Sequence, residues 1–220
     1  MGIKYLGHSC FEIETKGKKI LIDPFLAANP DYKPEGIYDI FVTHAHGDHL
    51  GKAIEISKET GAPITAIFEL ANYCAQRGAK THGIGLGGWV NYSWGKVAAV
   101  PAFHSSSTPE GEYGGCPCGF VFEIEGNTIY HAGDTCLNSE MKTIGEFFQP
   151  DMAMLPIGGF YTMDIEQAVT AAEWLGVTAV IPMHYNTFDA ISVDISEFER
   201  QIREKGKLPV IMKVNQELGK

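Results

Sequence analysis

The stretch His44-Ala45-His46-Gly47-Asp48-His49 places three of the chain's eight histidines and one aspartate within six positions. Neutral imidazole and carboxylate are side chains that hold divalent transition ions, and the spacing suits that work. On extended backbone His44 and His46 point the same way. Gly47 allows a sharp turn, and Asp48 and His49 fold back over the same spot from the start of a helix. Two imidazoles can then aim at one ion, and a carboxylate with a third imidazole at a neighbour. The plain alternative is a solvated loop in which Asp48 caps the helix, but a cap requires no flanking histidines. Further donors stand where apolar runs end: His104 closes "AAVPAFH", Asp134 lies in "HAGDT" and His184 in "IPMHY". Each alone would be an ordinary capped or solvated group. Together with the cluster they make five His and two Asp, the right number for two ions with positions left open for water.

The elements that must position these groups follow from periodicity and punctuation. Short strands are expected over Ile3–Leu6, Cys10–Thr15 and Lys19–Ile22, broken by Gly or by "DPF". Strand Asp39–Thr43 runs directly into the histidine cluster. Helix Lys52–Thr60 stops at Gly61, strand Ile64–Ala66 follows, and helix Glu69–Arg77 is closed by Gly78. From Thr81 to Ala102 the pattern is β again, including "KVAAVPAF". Residues 105 to 119 carry no apolar periodicity and read as a loop, one that should border the pocket beside His104. Hairpin strands Phe120–Ile124 and Thr128–His131 come next. The final third alternates strands Met152–Leu155, Ala179–Ile181 and Val210–Met212 with helices Ser139–Phe148, Ile165–Leu175 and Ile195–Glu204. Asp164 with Gln167 resembles a capping box. This order, β-rich then mixed and repeated, predicts an α+β chain of two sheets packed face to face with helices outside. Without a Pro- or Ser-rich linker, residues 1–220 read as one domain.

Composition narrows the function. A hydrophobic fraction of 45% and a charged fraction of 20% are those of a globular protein. The net charge of −10 and the lack of any Lys/Arg run argue against a nucleic-acid partner. No window approaches a membrane span, so no membrane partner is expected. The start, MGIKYLGHSC, has neither the basic apolar pattern of a signal peptide nor, with Leu6, a myristoylation pattern. Five cysteines at irregular spacing (10, 74, 116, 118, 136) then read as reduced thiols of a cytoplasmic protein. Cys116-Pro117-Cys118 is C-x-C without a second pair, which does not suit a redox or metal role.

The motif H-x-H-x-D-H, followed by a downstream His, a G-D-T aspartate and a final His, resembles the metallo-β-lactamase superfamily. The opening "YLGHSCFEIETKGKKILIDPF" and the "LPIGG" loop resemble its branch of small metal-dependent hydrolases, which includes ascorbate-6-phosphate lactonase-like proteins. The likeness runs from about residue 3 to residue 190. It is specific for fold and metal site and weakly specific for substrate. The resemblance implies an αββα sandwich of two mixed sheets flanked by helices, with the site at one edge of the paired sheets. It implies His44, His46 and His104 on one divalent ion, Asp48, His49 and His184 on a second, and Asp134 bridging them. Two such ions lower the pKa of a shared water until hydroxide is available near neutral pH, and they polarise a carbonyl or phosphoryl oxygen. The implied activity is metal-dependent hydrolysis, with Asp48 orienting the attacking group.

Other positions carry weaker signals. The branch tends to carry a histidine where His8 stands, in a Gly-His-Ser turn. Substrate contact, proton donor, auxiliary metal ligand and backbone-bonded turn residue all stay open for it. His131, before the Gly-Asp turn, suits a buried supporting role, and His82 a structural or exposed one. Gly158 and Gly159, with Tyr161, precede a helix and could offer backbone N–H groups to an anionic substrate. Tyr185 and Asn186 adjoin His184 as pocket-wall candidates. The expected partner is a small, anionic metabolite, a lactone or a phosphodiester, with weak or absent action on β-lactams. Zn or Mn head the metals a pure N/O set admits, with Fe, Co and Ni also open. A di-iron oxidoreductase on the same fold is a rival. It favours H-x-E-x-D-H, where this chain has His46, and it would need room for a flavin domain. A metal-dependent binding or sensing protein without turnover is another. The sequence does not choose between a monomer and a homo-oligomer.

Overall fold

The computed structural model describes residues 1–219. Two compact units make up the chain. One is formed by Met1–Leu86, Ser105–Pro117 and residues 213–219, the other by Gly87–His104 and Cys118–Met212. In chain order the strands of the first part are β1 (Gly2–Gly7), β2 (Cys10–Thr15), β3 (Lys18–Ile22) and β4 (Ile37–Phe41). A short helix α1 (Gly47–Leu50), helix α2 (Ala53–Thr60), strand β5 (Ile64–Ile67), helix α3 (Phe68–Gln76) and strand β6 (Thr81–Ile84) follow. The second unit holds β7 (Val90–Asn91), β8 (Lys96–Pro101), β9 (Cys118–Ile124), β10 (Asn127–His131), α4 (Glu140–Phe148) and β11 (Met152–Pro156). It continues with α5 (Ile165–Leu175), β12 (Ala179–Met183), α6 (Ile195–Glu204) and β13 (Leu208–Pro209). The last strand, β14 (Glu217–Leu218), returns to the first unit.

Each unit carries one seven-stranded mixed sheet, ordered β14-β1-β2-β3-β4-β5-β6 in the first and β13-β12-β11-β10-β9-β8-β7 in the second. The two sheets share a plan. In the first, β14, β1, β2 and β3 pair antiparallel, and β3 to β6 pair parallel. In the second, β7 to β10 pair antiparallel and β10 to β13 parallel. Tight turns join β1 to β2, β2 to β3 and β9 to β10, whereas each parallel neighbour needs a crossover, which α-helices supply for every parallel pair except β3 and β4. In the first unit α2 and α3 lie on the parallel half, where Ile40, Val42, Ile56, Ile64, Leu70 and Cys74 belong to one buried cluster. In the second, α5 packs on β11 and against both α4 and α6. The expectation of α+β with two mixed sheets and helices is met.

Local chemistry explains most boundaries. Helix α5 spans the predicted residues because Asp164 accepts from the Gln167 N–H at its start, at 2.9 Å, and Gly176 ends it at φ +69°. Asp194 caps α6 in the same way through Ser196 N–H. Three expectations need correction. Strand β4 ends at Phe41 rather than Thr43, because the Thr43 N–H turns to a side-chain carboxylate. The strand expected over Val210–Met212 lies at Leu208–Pro209, where it pairs with β12. Cys118 and Gly119 are strand, not loop, since they pair with β8.

One glycine fixes the approach of two segments of the first unit. Gly51 has φ +46°, and a Cβ there would stand 2.2 Å from the Pro24 carbonyl oxygen. The neighbouring Lys52 N–H donates to that same oxygen at 3.0 Å. Gly51→Ala should therefore lose about 2 kcal/mol or more of stability, through both the disfavoured backbone and the overlap. Chemical denaturation of the purified variant measures it, and unchanged stability would contradict the tight approach.

Candidate functional site

The pairing pattern of the first unit sends β1, β3 and β4 in one direction, because β2 is antiparallel to both neighbours and β3 is parallel to β4. Their C-terminal ends share one edge of the sheet. His8 follows β1, Asp23 follows β3, and the segment 44–49 follows β4. Loops at the carboxyl ends of parallel strands are where α/β sheets commonly place ligands.

Asp23 organises this edge. It is fully buried, with φ +45°. Its Oδ1 accepts the Thr43 N–H at 2.8 Å, and its Oδ2 accepts the Thr43 hydroxyl at 2.8 Å. The same Oδ2 stands 2.7 Å from His49 Nδ1. An ionised carboxylate only accepts, so the Thr43 proton points to Asp23 and the His49 proton sits on Nδ1. The Thr43 oxygen, its proton committed, accepts from His44 Nδ1 at 3.1 Å. His44 and His49 are thereby both held in the Nδ1–H tautomer, with the Nε2 lone pair turned to other work. Metal-ligating histidines are commonly fixed in this way by a carboxylate or hydroxyl behind the ring.

The remaining donors of this unit lie close by. His44 Nε2 is 3.0 Å from His46 Nδ1. Two imidazole nitrogens on one tetrahedral ion, with bonds of about 2.0–2.1 Å, stand roughly 3.3 Å apart, so the spacing fits shared ligation. His46 keeps its other nitrogen 3.5 Å from the Ser105 hydroxyl. One ligand atom each from His8, Asp48 and His49 lies within 4.8 Å of the others. His8 Nε2 is 3.2 Å from Asp48 Oδ2. Its ring is closed to solvent and packs edge-on against Phe25 at 5.4 Å, while the Asp48 side chain is 28% exposed. Loop 105–117 supports the cluster directly: the Ser106 hydroxyl accepts the Ala45 N–H at 3.2 Å, and the Gly114 N–H bonds the Ser106 carbonyl.

The second unit repeats the arrangement. Strands β8, β10 and β12 run the same way, since β9 is antiparallel to both β8 and β10 while β10, β11 and β12 are parallel. His104, Asp134 and His184 lie just past their C-terminal ends. Asp134 is nearly buried, and its Oδ2 stands 3.1 Å from His184 Nε2 and 3.5 Å from His104 Nε2. One carboxylate oxygen thus lies between two imidazoles. His131 is buried, and its Nδ1 accepts the Gly133 N–H at 3.2 Å, which fixes the turn that presents Asp134.

The other expected contacts of this unit are placed less suggestively. A Cβ on Gly158 would meet the His184 carbonyl oxygen at 2.3 Å, so this glycine serves the close packing of two loops. The N–H groups of Gly159, Tyr161 and Thr162 all bond within the loop, which leaves those three without a donor for an anion. The Tyr161 side chain is exposed. The Asn186 side chain bonds the Val193 N–H and carbonyl. Tyr185 is partly buried, and burial raises its hydroxyl pKa. His82 is exposed on β6.

The donor chemistry is N and O throughout. Cys10, Cys74 and Cys118 are buried. Burial pushes the Cys10 thiol up, with the charges of Asp23 and Glu12 adding to it, and raises Cys74 to about 12. Neutral thiols are poor ligands, whereas imidazole and carboxylate at these spacings suit divalent ions such as Zn or Mn. Asp23 and Thr43 were not distinguishable from sequence as supporting groups. The available signal was the strand-ending "LIDPF", which places a carboxylate at the same sheet edge.

Comparison with known proteins agrees with this chemistry. A family model described as a beta-lactamase superfamily domain matches residues 2–184. A metal-dependent hydrolase of Bacillus cereus is 46% identical over 212 residues, covering 92% of this chain and 93% of the relative. One from Desulfitobacterium hafniense is 47% identical over 216 residues, covering 93% and 92%. A solved structure, a metallo hydrolase from the hyperthermophilic archaeon Ignicoccus hospitalis, superposes with a TM-score of 0.89 at 38% identity, covering 99% of this chain and 97% of that one. With two mixed sheets, an H-x-H-x-D-H turn at a strand end and matches of this extent, the chain belongs to the beta-lactamase superfamily.

Proposed function

We propose that the chain is a metal-dependent hydrolase of a small, anionic ester-type metabolite, a lactone or a phosphodiester. The names of its relatives in Bacillus cereus and Desulfitobacterium hafniense support the hydrolase class. The observation that carries it is the acceptor behind each ring: Asp23 Oδ2 stands 2.7 Å from His49 Nδ1 and the Thr43 hydroxyl oxygen 3.1 Å from His44 Nδ1, which leaves Nε2 of both rings as the ligand atom. A solvated loop or a helix cap has no use for that arrangement.

In this proposal the donors that would hold divalent ions are His44, His46, Asp48 and His49 of the first unit and His104, Asp134 and His184 of the second. A divalent ion so held supplies Lewis acidity and lowers the pKa of a coordinated water. The protein's own groups then divide the work. Asp48 combines partial exposure with a firm hold by His8, so it orients the attacking water and takes part in its proton transfer. His8, closed to solvent, acts through Asp48 and keeps that carboxylate in place. Asp134 Oδ2, between two imidazoles, fixes the spacing of the second unit's donors. The net charge of −10 opposes a polyanion, which favours a small substrate.

Two experiments test this. Protein stripped with chelator and reloaded with Zn or Mn should recover turnover on a panel of lactones and phosphodiesters. His46→Ala and Asp134→Ala should lower both bound metal and turnover, the latter by about a hundredfold or more. Full turnover by the stripped protein would contradict the proposal. Asp23→Asn exchanges the acceptor behind His49 for a neutral amide, and metal affinity should fall about 10–100-fold. Competition against a chromogenic chelator measures it, and wild-type affinity would contradict the orienting role.

A further inference from the structure

Beside the donor cluster of the first unit lies a cavity of about 480 Å³. Its walls are Phe25, Leu26, Ala27 and Pro30 on one segment and Gly47, Gly51 and Lys52 on the other. That volume falls among small-molecule sites, about 300–1,000 Å³. Gly47 stands between His46 and Asp48 in the chain. The Phe25 ring packs on His8, whose Nε2 faces Asp48. The cavity therefore begins where the donors end. It is also preformed, because the Lys52 N–H bonds the Pro24 carbonyl and Gly51 has no room for a side chain against that oxygen.

The wall chemistry is one-sided. Four apolar side chains face two glycines and a single cation. Lys52 pairs with Glu55 at 3.6 Å, with side chains 63% and 55% exposed. Such a surface pair contributes little and yields readily to a competing anion. The hydroxyls of a polar sugar would find few hydrogen-bond partners along this wall, whereas an alkyl or aryl group would cover it.

We propose that this cavity binds an apolar arm bearing an anionic group, with the arm against Phe25, Leu26, Ala27 and Pro30 and the anion at Lys52. Resting on the hydrolase reading above, this makes the substrate an amphiphilic anion, with the reacting bond at the Gly47 end and the arm setting selectivity. Leu26 and Ala27 are then the specificity-determining positions.

Octanoate and acetate are the probes, titrated into the metal-loaded protein by calorimetry. Each carries a single carboxylate for Lys52, so their difference reports the arm. Octanoate should bind at least about tenfold more tightly than acetate. Ala27→Trp, which fills the cavity from an exposed position, and Leu26→Ser, which makes its wall polar, should each erase that difference. Lys52→Ala should weaken octanoate by about fivefold. Thermal melting confirms that each variant is folded. Equal affinity for octanoate and acetate, or a preference unchanged in folded Ala27→Trp and Leu26→Ser, would overturn the proposal. The titration needs no turnover. Octanoate preference lost in both variants, alongside blank ester assays, would uphold the cavity and count against the hydrolase reading alone.

Discussion

One buried carboxylate governs the first unit's chemistry. Asp23 is removed from water, and an ionised carboxylate in that position is costly unless its oxygens are bonded. Thr43 N–H, the Thr43 hydroxyl and His49 Nδ1–H meet that need together. The same three bonds end β4, turn the chain toward the histidine segment and decide which nitrogen of His49 is left to bind. Through the Thr43 oxygen the constraint reaches His44 as well. Strand ending and ligand preparation are here one event, at a residue whose backbone holds a left-handed conformation rare outside Gly, Asn and Asp.

The sheets supply the rest. In each unit an antiparallel half passes into a parallel half, and this change of direction brings the ends of alternate or adjacent strands to one edge. Donors that are far apart in sequence, such as His8 and Asp48 or His104 and His184, become neighbours of the same edge within their own unit. Short strands with buried apolar residues make that placement rigid, and metal sites require rigidity because ligand distances tolerate little error.

Much of this was legible in the sequence. Residue type and spacing pick out His44, His46, Asp48 and His49, and the ends of apolar runs pick out His104, Asp134 and His184. Helices Ile165–Leu175 and Ile195–Glu204 are marked by their periodicity, and Asp caps close both starts. What was not legible depends on partners distant in the chain. Asp23 acts on residues 20 and 26 positions away, and "DPF" reads locally as a strand breaker. β14 exists because Ile3 pairs with Leu218, which no local pattern announces. The Gly158–Gly159 loop has the composition of an anion-binding turn, yet the N–H groups of Gly159, Tyr161 and Thr162 are used inside it. Composition shows that backbone can bend there, not where its hydrogen bonds go. The cavity beside Gly47 was invisible for the same reason, since its two walls come from separate segments.

The central claim is that Asp23 and Thr43 fix the tautomers of His49 and His44. Nitrogen-15 NMR of zinc-loaded protein labelled at histidine tests it most directly, with assignment by single His→Gln variants. The account predicts that His44 and His49 each carry a proton on Nδ1 and the ion on Nε2. Protons on Nε2 with the ion on Nδ1, or rings of His44 and His49 untouched by zinc, would contradict it.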